Sequence, residues 1–195
     1  MRDTNRRWRT VDVLVVSVLA VAFGVVFWAW GLLWNGPFAA VFGAFKPASA
    51  IVYGVWLLPA VVGPLVIRKP GAGLFCEVLA AIVSALLGSA WGLTVVIYGL
   101  AQGIAGEAAF AALWYRSFRL PVAVAAGALA GLAAAGLDLV NYYPTWSTDW
   151  KLLYTGLVML SAALVAGAGG WLLTRALART GVLRRFPSGR DVVKI

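Results

Sequence analysis

Apolar residues in this chain come in long runs, separated by short polar or basic pieces. The first run extends from Val11 to Trp34, and a second, Ala48 to Ile67, is closed by Arg68-Lys69-Pro70-Gly71. Residues 73 to 114 form a predominantly apolar stretch long enough for two helices, and Gly88-Ser89-Ala90-Trp91-Gly92 is its natural break. Arg116, Arg119 and Pro121 end the fourth run. The fifth covers Val122 to Tyr142 and the sixth Leu152 to Thr174, with the polar and aromatic loop 143–150 between them. A helix needs roughly 20 apolar residues to cross a bilayer. The pattern therefore predicts an all-α integral membrane protein with six transmembrane helices. Residues 1–10 form an N-terminal segment, 11–174 a single six-helix membrane domain, and 175–195 a basic interfacial tail.

Composition supports a lipid environment. The chain is 63% hydrophobic and 12% charged, with a mean hydropathy of +0.91, whereas a soluble domain carries about a quarter of its residues as charge. A net charge of +9 would suit nucleic acid, but the positions of the charges argue against that partner. Fourteen of the 16 Lys and Arg fall at the N-terminus, at 68–69, at 116–119 and in the tail, against Lys46 and Lys151 elsewhere. Under the positive-inside rule this bias places both termini in the cytoplasm. No small-residue cleavage site closes the first run, so it reads as a retained span in the cell membrane rather than a signal peptide. Trp28, Trp30, Trp34, Trp91, Trp146 and Trp150 fall near the predicted outer interface, where they read as an aromatic belt. Small residues at four-residue spacing, as in Ala20-x3-Gly24, Gly99-x3-Gly103 and Gly127-x3-Gly131, provide faces for close helix approach.

Polar residues inside the spans carry the candidate chemistry. Asp12 and Asp149 lie at span ends and read as hydrated, which leaves Glu77, Glu107 and Asp138 within the membrane. An acid at mid-bilayer costs at least ~2.5 kcal/mol and is a functional hypothesis by default. No Lys or Arg lies in a span to neutralise these three. They are protonated and hydrogen-bonded to neighbouring helices, or in contact with a ligand, or part of a proton pathway. Tyr53 and Trp56 share one face of the second span, Tyr98 and Gln102 one face of the fourth. Asn141 and Tyr142 end the fifth near Asp138. Acids beside aromatic faces suit a flat organic cation, whereas a phosphorylated ligand would call for arginines that the spans lack. There is no Walker A pattern, no G-x-S-x-G, no histidine and one cysteine, Cys76. No catalytic residue, cofactor or metal site is expected.

The segments Tyr53-Gly-Val-Trp56, Ile67-Arg68-Lys69-Pro70-Gly71-Ala72 through Glu77, and Gln102-Gly-Ile-Ala-Gly-Glu107-Ala108 resemble the YkoE family, as does Trp8-Arg9-Thr10-Val11-Asp12 at the start. That family comprises S components, the substrate-binding subunits of energy-coupling factor (ECF) transporters, associated with thiamine or its hydroxymethylpyrimidine precursor. The resemblance implies a vitamin binder that works with a transmembrane coupling protein and ATP-hydrolysing subunits. It carries over Glu77, Gln102 and Glu107 as substrate contacts, and Ala20 with Gly24 as the face that meets the coupling protein. Asp138 is added on its depth alone. The other class that the residues allow is a stand-alone secondary carrier, or a proton-coupled antiporter for organic cations.

Overall fold

The computed structural model describes residues 7–190, with the side chain of Arg190 excepted. The first part of the expected N-terminal segment and the last part of the expected tail therefore lie outside the described residues. Each apolar run becomes a helix: α1 is Thr10–Val41, α2 Lys46–Ile67, α3 Ala72–Leu86, α4 Thr94–Ala112, α5 Leu120–Asn141 and α6 Thr148–Arg179. A short α7, Pro187–Arg190, follows. Five of the helices are long and apolar enough to cross a membrane, while α3 has 15 residues. Three bounds differ from expectation, since α1 runs on to Val41, and α6 begins at Thr148, inside the expected loop, and continues to Arg179. The expected break is a turn in which Gly88 and Gly92 both take positive φ, 89° and 56°, a conformation that glycine adopts without strain.

Hydropathy does not distinguish inside from outside here, because both faces of each helix are apolar. Residue size does. The outward face of α1 shows Leu14, Val18, Val21, Val25 and Leu32, while its inward face buries Val16, Ala20, Phe23, Gly24, Phe27 and Gly31. On α5 the buried set is Ala123, Ala126, Gly127, Ala130, Gly131, Ala134, Ala135 and Asp138. Small inward residues let backbones approach, which holds helices together where lipid removes the hydrophobic driving force. Gly24 illustrates how close that approach is: a Cβ added there would lie 2.5 Å from Val83 Cβ and 2.9 Å from Ala80 O, both on α3. The Ala20/Gly24 face is thus covered from within the chain. The packing face expected at these two residues is occupied by α3.

Three helices depart from regular α geometry. Trp34–Phe38 forms one wide π turn in α1, at Pro37, which has no N–H to give to the regular ladder. Ala163–Gly169 forms another in α6 and presses Gly167 onto α5, where an added Cβ would sit 2.7 Å from Val124 Cα. The first half of α2, Lys46–Leu57, is a 3₁₀ helix of 12 residues, well beyond the usual three or four. Side chains three apart align along such a helix, so Tyr53 and Trp56 stand in one row. Ser161 of α6 braces it, accepting from Gly54 N at 3.0 Å and donating to Ile51 O at 2.6 Å.

The basic pieces gather at one end of the bundle. Trp8 Nε1 donates to Pro70 O at 3.0 Å, Ser188 Oγ donates to Val66 O at 3.0 Å, and the Arg68 guanidinium lies 5.2 Å from the Phe118 ring centroid. Leu183 and Phe186 of the tail are buried against α1 and α2. Asp12 lies here too, and it is not hydrated: its side chain is fully buried, paired with Lys69 and with Arg9 at 2.9 Å. An ion pair this secluded is kept by mutual need, since a buried charge left alone is costly.

Candidate functional site

A cavity of about 360 Å³ opens at the opposite end, within the ~300–1,000 Å³ range usual for small-molecule sites. Its aromatic wall comes from the wide turn of α1, the 3₁₀ half of α2 and the Gly88–Gly92 turn. Trp56 is the centre of that wall, with ring centroids 4.9 Å from Trp34, 5.3 Å from Tyr53 and 5.7 Å from Trp91, all edge-on. Gly31 makes room for it, since a Cβ there would stand 3.2 Å from the Trp91 ring. The 3₁₀ pitch explains why Tyr53 and Trp56, three apart in sequence, both reach the cavity.

The polar wall comes from α3, α4 and α5, through Glu77, Gln102, Tyr98 and Asp138. Glu77 is fully buried; its Oε2 accepts from Ala60 N at 2.8 Å, and among the described residues its Oε1 has no hydrogen-bond partner. Ala60 offers that N–H because α2 changes from 3₁₀ to α pitch just before it, and the first amides of an α segment have no partner within it. Asp138 is bonded on both oxygens, to the hydroxyls of Tyr98 at 2.9 Å and Tyr154 at 2.7 Å. It therefore fixes the tilt of Tyr98 rather than offering a vacant acceptor. At the rim, burial and then the nearby Asp138 push the Tyr143 phenol up to about 12, which keeps it a neutral donor. Among the described residues, no Lys or Arg lines the cavity.

Six of the eight expected substrate contacts thus converge: Tyr53, Trp56, Glu77, Tyr98, Gln102 and Asp138. Glu107 does not join them. Its carboxylate accepts from Gly71 N at 2.9 Å, Gly73 N at 2.6 Å and Leu74 N at 3.3 Å, capping the start of α3 at the basic end. A carboxylate at a helix N-terminus satisfies orphan amides and complements the helix dipole. Asn141 also stands apart; it is exposed and its Nδ2 donates to Leu137 O one turn back at 2.8 Å. Sequence reasoning missed Trp34 and Trp91, which read as belt residues, and Tyr154, which holds Asp138. The only available signal for the tryptophans was their position beside chain breaks that can fold inward.

A bundle of apolar helices enclosing one aromatic-walled, acid-floored cavity defines a membrane-embedded protein that binds a small molecule. The family described as ABC-type cobalt transport system, permease component, matches residues 11–133. A protein of Bacillus subtilis (strain 168) named as a candidate HMP/thiamine permease, YkoE, is 34% identical over 192 residues, covering 97% of this chain and 94% of that protein. A crystal structure of an S component of an ECF transporter superposes with a TM-score of 0.90 at 33% identity, covering 96% of this chain and 94% of that one. The chain belongs to the YkoE family of ECF S components. It is a multi-pass cell-membrane protein and a substrate-binding component of a transporter.

Proposed function

We propose that the cavity binds thiamine, or the hydroxymethylpyrimidine from which it is built, for uptake driven by partner subunits that hydrolyse ATP. The carrying observation is Glu77 Oε1, an acceptor buried in the cavity lining with no hydrogen-bond partner among the described residues. A buried acceptor left unmet costs about 1–3 kcal/mol, and an amino group on a flat heterocycle would meet it. Trp34, Trp56 and Trp91 supply π faces for a cationic ring, and the Gln102 amide serves a donor or an acceptor on the pyrimidine. The absence of Lys and Arg from the lining favours thiamine over its pyrophosphate. Cobalt, which appears in the family description, suits the donors poorly: the chain has no histidine, and Asp138 is engaged by two tyrosines. With the basic end in the cytoplasm, the cavity faces outward, towards the incoming substrate.

Calorimetry on the detergent-purified protein tests this reading. Thiamine is expected to bind more tightly than thiamine pyrophosphate, and Glu77→Gln to weaken it. Tighter binding of the pyrophosphate would refute the charge argument. Tighter binding of hydroxymethylpyrimidine than of thiamine would move the assignment to the precursor.

A further inference from the structure

A second cavity, of about 380 Å³, lies at the basic end, between the α2–α3 turn, the 116–119 connection and α6. Among the described residues, its lining includes Arg68, Arg116, Arg119 and Arg175 and contains no Asp or Glu. Like charges at chain ends are ordinary orientation signals; four guanidinium groups around one concavity are something more. Among the described residues, Arg116, Arg119 and Arg175 take part in no ion pair. Two of the four planes are held by rings, Arg175 at 4.5 Å over Trp171 and Arg68 at 5.2 Å over Phe118. The N-terminus of α5 opens at Arg119, whose side chain makes no capping bond, and adds its positive dipole end.

We propose that this cavity is a binding site for the phosphodiester headgroup of an anionic phospholipid of the inner leaflet. Guanidinium groups match phosphate oxygens two at a time, and basic pockets between helices on the cytoplasmic side suit such headgroups. The neighbouring surface favours a lipid over a soluble anion. Leu120 follows Arg119, and Leu172 and Leu173 lie between Trp171 and Arg175; they are 38%, 60% and 39% exposed. Acyl chains have an apolar path beside the charged one. The bound lipid would tie the 116–119 connection to α6 at the end of the bundle that faces the cytoplasm.

Native mass spectrometry of the full chain, offered equal amounts of phosphatidylglycerol and phosphatidylcholine, tests the proposal. Retention of one phosphatidylglycerol is expected. The exposed pair Arg116→Gln/Arg119→Gln should lower its affinity about thirtyfold, at roughly one surface-arginine contribution per residue. Arg179→Gln/Arg184→Gln, at the same end but outside the cavity, should lower it much less, and thermal unfolding should show both variants folded. Equal losses in the two pairs would mean diffuse charge and would overturn the site. Displacement of the lipid by excess inorganic phosphate would assign the cavity to a soluble anion instead. Displacement by a short polyglutamate peptide would assign it to an acidic protein segment. Either result sinks the lipid proposal.

Discussion

Replacing Glu77 with glutamine changes one buried group without changing its volume. In the native chain, Oε2 accepts from Ala60 N at 2.8 Å, while Oε1 is buried in the cavity lining with no hydrogen-bond partner among the described residues. Glutamine can keep the first contact through its amide oxygen, so the α2–α3 contact survives and the fold should too. What changes is the atom presented to the ligand: a carboxyl oxygen becomes an NH₂ donor. A hydrogen bond to a charged group contributes about 1.5–3 kcal/mol, and a ligand amine facing a second donor loses all of it. That corresponds to a dissociation constant about 10- to 150-fold higher. Thiamine titrated calorimetrically into wild-type and Glu77→Gln protein in detergent measures it, with thermal unfolding as the control for fold. A folded variant that binds thiamine within about twofold of wild type would refute the role given to Glu77.

Glu107→Gln should separate the two acids of α3 and α4: thiamine affinity stays near the wild-type value, while stability falls by about 1–2 kcal/mol as the charged cap on Gly71, Gly73 and Leu74 is weakened. Thermal unfolding and calorimetry on one preparation show both. Gly24→Leu should yield little folded protein by size-exclusion chromatography, because even its Cβ would lie 2.5 Å from Val83; a well-folded variant that loses only ATP-driven uptake would assign a coupling role to that face. Thr148→Cys should react with an impermeant maleimide in intact cells and Pro70→Cys should not. The native Cys76 is fully buried and gives little background, and the opposite labelling would invert the topology.

The helices were legible because lipid imposes one demand on every turn of helix, and apolar runs record it directly. Pitch was not. Nothing local in Lys46–Leu57 marks a 3₁₀ helix, which depends on the brace from Ser161, more than a hundred positions away in sequence. The widened turn at Pro37, which carries Trp34 onto Trp56, lies beyond the expected end of the first run and was not read from the sequence. Inward faces could be read from residue size, as on α5, yet size alone could not say which helix would fill each groove. Ala20-x3-Gly24 was a true packing face whose occupant is α3 of the same chain.

Glu77 and Glu107 show why a site is harder to read than a fold. Each is a single acid in an apolar helix, and the cost of burying it is the same from the sequence alone. Their fates separate through backbone geometry elsewhere. The turn at 68–71, with Gly71 at φ 83°, delivers three orphan amides to Glu107 and consumes its charge. The change of pitch in α2 delivers only one amide to Glu77, a cavity-lining residue, and leaves its second oxygen without a partner among the described residues. Asp138 is a third case, with both oxygens taken by tyrosines. A buried carboxylate therefore identifies a ligand contact only after its backbone and hydroxyl partners have been counted. By that count the acceptor available to a substrate is Glu77, and the cavity's selectivity should follow the donor that the substrate presents to it.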